Sequence, residues 1–320
     1  MVNVNNNLNQ VTVVMYHYVR DFSLTPFPDI KGLLVSEFEY QINYFRKKYY
    51  FVTIQQCIAA SKGECSLPRN SILLTFDDAF LDHYTNVFPI LDKYNIQGSF
   101  FPPAKAVMGS GVLEVNKIQF ILSKADNVDL IMLDIFKMID ENRLEFSLES
   151  NKHYLHQHLK PRRFDNKNIG FVKNILQKGL PRRFNELLLD KLFYKYVTTD
   201  ENALSHELYM TAEQLNCMVR NGMYVGSHCY DHVWLDSLNE PEQEYQIDLS
   251  LKFLNQIGAP IDNWVMCYPH GGYNVVTKNI LERKGCALGL TVNNGAWLLD
   301  RHNKYEVPRF DTNDFPKKPS

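Results

Sequence analysis

Ser71-Ile72-Leu73-Leu74-Thr75-Phe76 is an apolar, β-branched run that leads directly into two adjacent carboxylates, Asp77 and Asp78. A short run of this kind, free of Gly and Pro, reads as a buried strand. Neighbouring side chains on a strand point to opposite faces, so Asp77 and Asp78 can serve one site only if the chain turns where the strand ends. Working outward, similar runs occur at Val11 to His17, Gly98 to Phe101, Met223 to Ser227, Trp264 to Tyr268, Cys286 to Thr291 and Tyr305 to Arg309. Between them, Ser36 to Lys48, Tyr84 to Tyr94, Thr211 to Asn221, Glu242 to Ile257 and Asn274 to Lys284 carry apolar residues at helical spacing. This alternation predicts an α/β fold, a parallel sheet with crossover helices.

The run at Met223 to Ser227 also ends in chemistry, in His228-Cys229-Tyr230-Asp231-His232. A divalent metal such as zinc takes His nitrogen and Asp oxygen ligands and, in a catalytic site, keeps one position open. One of Asp77 and Asp78, with His228 and His232, can form such a ligand set, and the other carboxylate is left over as a base. Two histidines four residues apart can meet on one helical turn or in a tight loop.

The 320 residues, 45% hydrophobic and 22% charged, suffice for a large core, and the formal net charge of -2 disfavours nucleic acid as a partner. Met1 to Gln10 is polar and Asn-rich, and no run of about 18 apolar residues offers a transmembrane segment. Cys57, Cys65, Cys217, Cys229, Cys267 and Cys286 show no C-x-x-C spacing. Unpaired thiols and the polar start predict a cytoplasmic location.

Thr75-Phe76-Asp77-Asp78-Ala79-Phe80 resembles the T-F-D-D-G-[YF] motif of the polysaccharide deacetylase family, also called NodB-homology or carbohydrate esterase 4, and His228 to His232 resembles its H-[ST]-x-x-H motif. Cys267-Tyr268-Pro269-His270-Gly271 stands where R-x-P-Y-G would fall, and Met15-Tyr16-His17-Tyr18-Val19 is similar to the M-Y-H-x-V opening of one branch. Similar segments run from about residue 11 to about 311, with some hundred residues between them that match little. The resemblance implies a distorted (β/α) barrel of about seven parallel strands, with its site on the face formed by the C-terminal strand ends. It implies one deacetylase domain over residues 1–320, a helical insertion at about 109–204, one divalent ion with Zn2+ as first candidate held by Asp78, His228 and His232, Asp77 as the base, and hydrolysis of an N-acetyl or other small acyl group on an amino sugar. With a cytoplasmic location, the sugar is expected on a nucleotide or lipid carrier. An N-deformylase, another small-amide hydrolase and an inactive carbohydrate-binding protein are the alternatives.

Three positions depart from the motifs. Ala79 replaces Gly and is expected to need a right-handed backbone; Cys229 replaces Ser or Thr. Cys267 replaces the Arg that in the family steadies the base, and Arg309, in Tyr305-Glu306-Val307-Pro308-Arg309-Phe310-Asp311, is the candidate substitute. The family's late acid-bearing His is also missing, since Asn293-Asn294-Gly295-Ala296-Trp297 occupies that place. His17 is the preferred proton donor, ahead of His270 and His302. A backbone N–H near Tyr268 is the implied oxyanion donor, and Tyr268, His270, Trp297 and Tyr273 are the candidate substrate-binding residues. Between Lys152 and Lys195, eleven Lys or Arg face three acids, a balance of +8 that includes Arg162, Arg163, Arg182 and Arg183. That stretch is a solvated surface or a field for an anionic substrate.

Overall fold

The structure, a computed structural model, describes residues 10–109, 111–125, 127–161 and 165–318. Its strands are β1 Gln10–Tyr16, β2 Tyr50–Phe51, β3 Ser71–Asp77, β4 Gly98–Phe101, β5 Tyr224–Val225, β6 Val265–Cys267, β7 Leu288–Leu290, β8 Trp297–Leu298 and β9 Phe310–Asp311. β3 pairs in parallel with β1 along Ser71 to Phe76 and with β4 along Leu74 to Asp77; β4 pairs with β5, β6 with β7, and β1 with β9, all in parallel. Two bridges join the remaining edges, Ser227 to Met266 and Leu290 to Val307. Followed round, β1, β3, β4, β5, β6, β7 and the segment from Val307 through β9 form a ring of seven parallel strands.

Side-chain alternation sorts this ring into an inside and an outside. Val11, Val13, Leu73, Phe101, Val265, Leu288, Leu290 and Val307 share the interior. Val14, Tyr16, Ile72, Leu74, Phe76 and Phe100 face outward and pack with Phe38, Ile42 and Phe45 of the helix Val35–Lys48. All seven residues of β3 are buried, as expected of a strand covered on both faces. The same parity turns His17, Asp77, Cys267 and Arg309 inward at the C-terminal strand ends.

The opposite end of the barrel is plugged. Trp297 and the residues Ile54, Cys57 and Ile58 of the helix Ile54–Ser61 join the interior cluster. Gln97, just before β4, accepts from Ile54 N at 3.0 Å. The short strands β2 and β8 were not legible in the sequence, because two-residue pairings carry no alternation to read. β8 runs antiparallel to the start of β1, with Val11 opposite Trp297.

A second unit gathers Phe22–Ile30 with Val112–Leu204. Its helices Val128–Asn142 and Arg182–Tyr196 bury Ile131, Ile135 and Ile139, and Phe184, Leu188 and Leu192. Lys117 is buried there between Asp190 at 2.7 Å and Glu201 at 2.9 Å. Arg182 pairs with Glu186, whereas Arg162 and Arg163 lie outside the described residues. Among the described residues, no helix is long and apolar enough to cross a membrane.

Candidate metal centre

The end of β3 turns through two residues of left-handed backbone, Asp78 at φ 74° and Ala79 at φ 56°. The expectation of a right-handed Ala79 is therefore wrong. The turn is held by Asp78 N donating to Phe101 O at 3.2 Å and by Met210 N donating to Ala79 O at 2.9 Å. Those bonds fix the reversal that brings both carboxylates to one side, at a cost of roughly 1–2 kcal/mol for a residue with a Cβ.

The H-x3-H segment is a loop, with Cys229 at φ 60° and His232 at φ 57°. It brings three atoms together. Asp78 Oδ1 lies 3.5 Å from His228 Nε2 and 3.2 Å from His232 Nε2, and the two nitrogens are 3.1 Å apart. Ligands of a tetrahedral zinc, bonded at about 2.0–2.1 Å, stand about 3.3 Å from one another, so the triangle has the right size. His228 Nδ1 lies 2.7 Å from the Cys267 carbonyl oxygen, which places the ring proton there and leaves the Nε2 lone pair facing the triangle. Asp78 Oδ1 is buried and, among the described residues, has no hydrogen-bond donor assigned to it. Two imidazole lone pairs and a carboxylate oxygen repel unless a cation or a proton lies between them. Asp78, His228 and His232 thus fit a metal ion; Asp77, His228 and Cys267 form a second close group.

Asp77 stands beside the triangle. Arg309 Nη1 donates to its Oδ1 at 2.9 Å and Arg309 Nη2 to its Oδ2 at 2.8 Å. Arg309 is itself fixed by Nε to Thr291 O at 2.8 Å and Nη1 to Thr75 Oγ1 at 3.1 Å. Cys267 Sγ is 3.4 Å from Asp77 Oδ1, so a small thiol from β6 stands beside the carboxylate while the guanidinium arrives from the segment beyond β7. Burial alone would raise the Asp77 carboxyl, but Arg309 and then His228 outweigh it and hold it at about 2. For Asp78, burial is likewise outweighed, by His232 and His228, and its carboxyl falls well below the usual range.

His17 follows β1 with its Nε2 4.0 Å from Asp77 Oδ2 and its side chain 42% exposed. His270, left-handed at φ 57°, is partly buried against His232, ring centres 4.5 Å apart, and stacks on Trp234 at 4.7 Å. Burial and then His232 push its pKa well down, which favours the neutral ring. The sequence reading passed over Trp234 in favour of Trp297 and Tyr273. Trp297 is not brought to the site: it is 1% exposed and pairs with Val11, six residues and about 20 Å of strand from His17. His302 binds Leu298 N at 2.9 Å at that same far end.

Tyr268 also faces away, its ring stacked on Tyr273 at 4.5 Å and its hydroxyl bonded to Tyr305 O at 3.0 Å. Its amide is spent on Leu290 O at 3.1 Å, so it is no oxyanion donor. The amide of His270, two residues on, has no backbone acceptor among the described residues. His83 was missed altogether. It is fully buried, bonds the His17 carbonyl through Nε2 at 2.8 Å, and packs between Phe76, Phe80 and Phe100.

Two carboxylates and two histidines thus stand at the C-terminal mouth of the barrel. The chain belongs to the polysaccharide deacetylase family, whose description matches residues 65–179 and 194–289. It is 29% identical over 99 residues to YxkH of Bacillus subtilis (strain 168), named as a polysaccharide deacetylase; the match spans 31% of this chain and 35% of that protein. In fold it is similar to the deacetylase PplD of Streptococcus pyogenes, with TM-score 0.59, 16% identity and coverage of 95% and 93% of the two chains. IcaB from Ammonifex degensii is also similar, with TM-score 0.55, 19% identity and coverage of 94% and 91%.

Proposed function

We propose that this chain is a metal-dependent N-deacetylase acting on an N-acetylated amino sugar, within one deacetylase domain that carries about 109–204 as an insertion. The observation that carries the reading is the pairing of an Asp-His-His triangle with a second carboxylate, Asp77, which no ligand set requires. A divalent ion held by Asp78, His228 and His232, zinc by the chemistry of these donors, supplies Lewis-acid polarisation of the amide carbonyl and of water. Asp77 accepts the water proton, kept ionised and aimed by the two-point grip of Arg309. His17, partly open to solvent and 4.0 Å from Asp77, delivers a proton to the departing amine. The His270 amide donates to the oxygen on which charge develops.

The acetate named with the Streptococcus pyogenes deacetylase supports acetyl as the acyl group. Six free cysteines, four of them buried, support a reducing compartment, and with it a sugar on a nucleotide or lipid carrier. The test is release of acetate and of formate, measured separately, from acylated amino sugars with the Zn2+-loaded protein. Acetate release abolished by Asp77→Asn supports the reading. Formate release alone moves it to a deformylase, and sugar binding without any acyl release under any metal sinks it.

A further inference from the structure

The loop that carries His228 and His232 contains two non-glycine residues in left-handed backbone, Cys229 and His232, so something must hold it in shape. One face of the helix Glu240–Gln256 does so at both ends of the loop. Gln246 and Ser250, one turn apart on that helix, are buried at 5% and 0% exposure. Ser250 Oγ lies 2.8 Å from Ser227 Oγ, which in turn accepts from Cys229 N at 3.3 Å at the loop's start. At its end, Gln246 uses both halves of its amide on one residue. Its Oε1 accepts from Asp231 N at 2.9 Å and its Nε2 donates to Asp231 Oδ2 at 2.8 Å. The other oxygen of Asp231 meets Lys105 Nζ at 2.8 Å, and Lys105 N donates to Tyr230 O at 3.0 Å. Asp231 immediately precedes His232.

We infer that Gln246 is a positioning residue that sets the affinity of the Asp78-His228-His232 triangle for its cation, by clamping Asp231 between the helix and Lys105. The inference rests on the reading of that triangle as a metal site. A buried amide must be hydrogen-bonded somewhere, and here both its donor and its acceptor go to the loop. Outer partners that orient metal ligands change metal affinity by roughly 10–100-fold when removed.

The test is competition for Zn2+ between the full-length protein and a chromophoric chelator, with the melting temperature of the metal-free protein recorded beside it. Gln246→Leu is expected to bind Zn2+ roughly 10–100-fold more weakly. The exchanged pair Asp231→Asn with Gln246→Glu, which reverses one hydrogen bond and keeps the other, is expected to recover most of the loss. Affinity equal to wild type with only a lower melting temperature makes Gln246 a packing residue and overturns the inference. If Gln246→Leu does not fold, Lys105→Met decides, since that side chain is 44% exposed and touches the clamp from outside. It is expected to weaken binding, and unchanged affinity overturns the inference. A wild-type protein whose Zn2+ affinity is indifferent to His228→Ala removes the metal reading itself and the inference with it.

Discussion

Arg309 holds both oxygens of Asp77 although 232 positions separate the two residues, and the two side chains are only 0% and 2% exposed. Removing one partner of a buried pair leaves the other charge uncompensated, at a cost of roughly 3–5 kcal/mol. Arg309→Met is therefore expected to lower stability by about that amount. It should also let burial raise the Asp77 carboxyl, moving the acidic limb of the kcat/KM profile to higher pH. A denaturant titration and a pH–rate profile check both, and an unmoved limb would show that Asp77 is not the base.

The two carboxylates divide their work, and metal analysis separates them. Asp77→Asn is expected to keep the ion at wild-type stoichiometry while turnover falls by roughly 10²–10⁴-fold, the usual contribution of a positioned base. Asp78→Asn is expected to lose the ion together with the activity. Equal metal loss in both variants would contradict the assignment of Asp77.

The sequence carried the barrel well because each strand of the ring is an apolar run and most of these runs end in, or lead into, a polar residue. In the ring, strand parity places His17, Asp77 and Arg309 on one inward face. Backbone conformation was less legible: Ala79 carries no mark of its left-handed φ of 56°, which is set by the distant acceptor Phe101 and donor Met210. Trp297 follows Gly295 by two residues in sequence, like a loop aromatic, yet its antiparallel pairing with Val11 makes it the plug of the far end. His83 and Gln246 look like ordinary helix polar residues, and only tertiary contacts give them partners.

Ala79→Gly tests how far that turn is strained. Relief of left-handed backbone contributes roughly 1–2 kcal/mol. Against it stand roughly 0.5–1 kcal/mol of added chain entropy and about 0.8 kcal/mol for the buried methyl. The opposing effects nearly cancel, so stability in urea is expected to change by less than about 1 kcal/mol. A larger loss would mean that Ala79 is unstrained.

His17→Ala is expected to lower kcat with Zn2+ content unchanged and to be felt most with substrates whose leaving amine is most basic, where proton donation matters most. Wild-type turnover in this variant would transfer the donor's role away from His17.

His83 couples the same segment to pH. Burial first, only partly opposed by its bond to the His17 carbonyl, lowers its pKa from 6.5 to about 4. In the unfolded chain the imidazole takes up a proton near 6.5, and in the fold only near 4. Between those values the unfolded state binds more protons, so this stabilisation is complete above about pH 6.5 and is lost as pH falls toward 4. One pKa unit corresponds to about 1.4 kcal/mol, so the full loss is about 3 kcal/mol. Urea midpoints at pH 7 and pH 4.5 should therefore lie closer together in His83→Gln than in wild type, since Gln can still donate to His17 O but does not titrate. Midpoints that move in parallel in the two proteins would mean that His83 is charged in the fold.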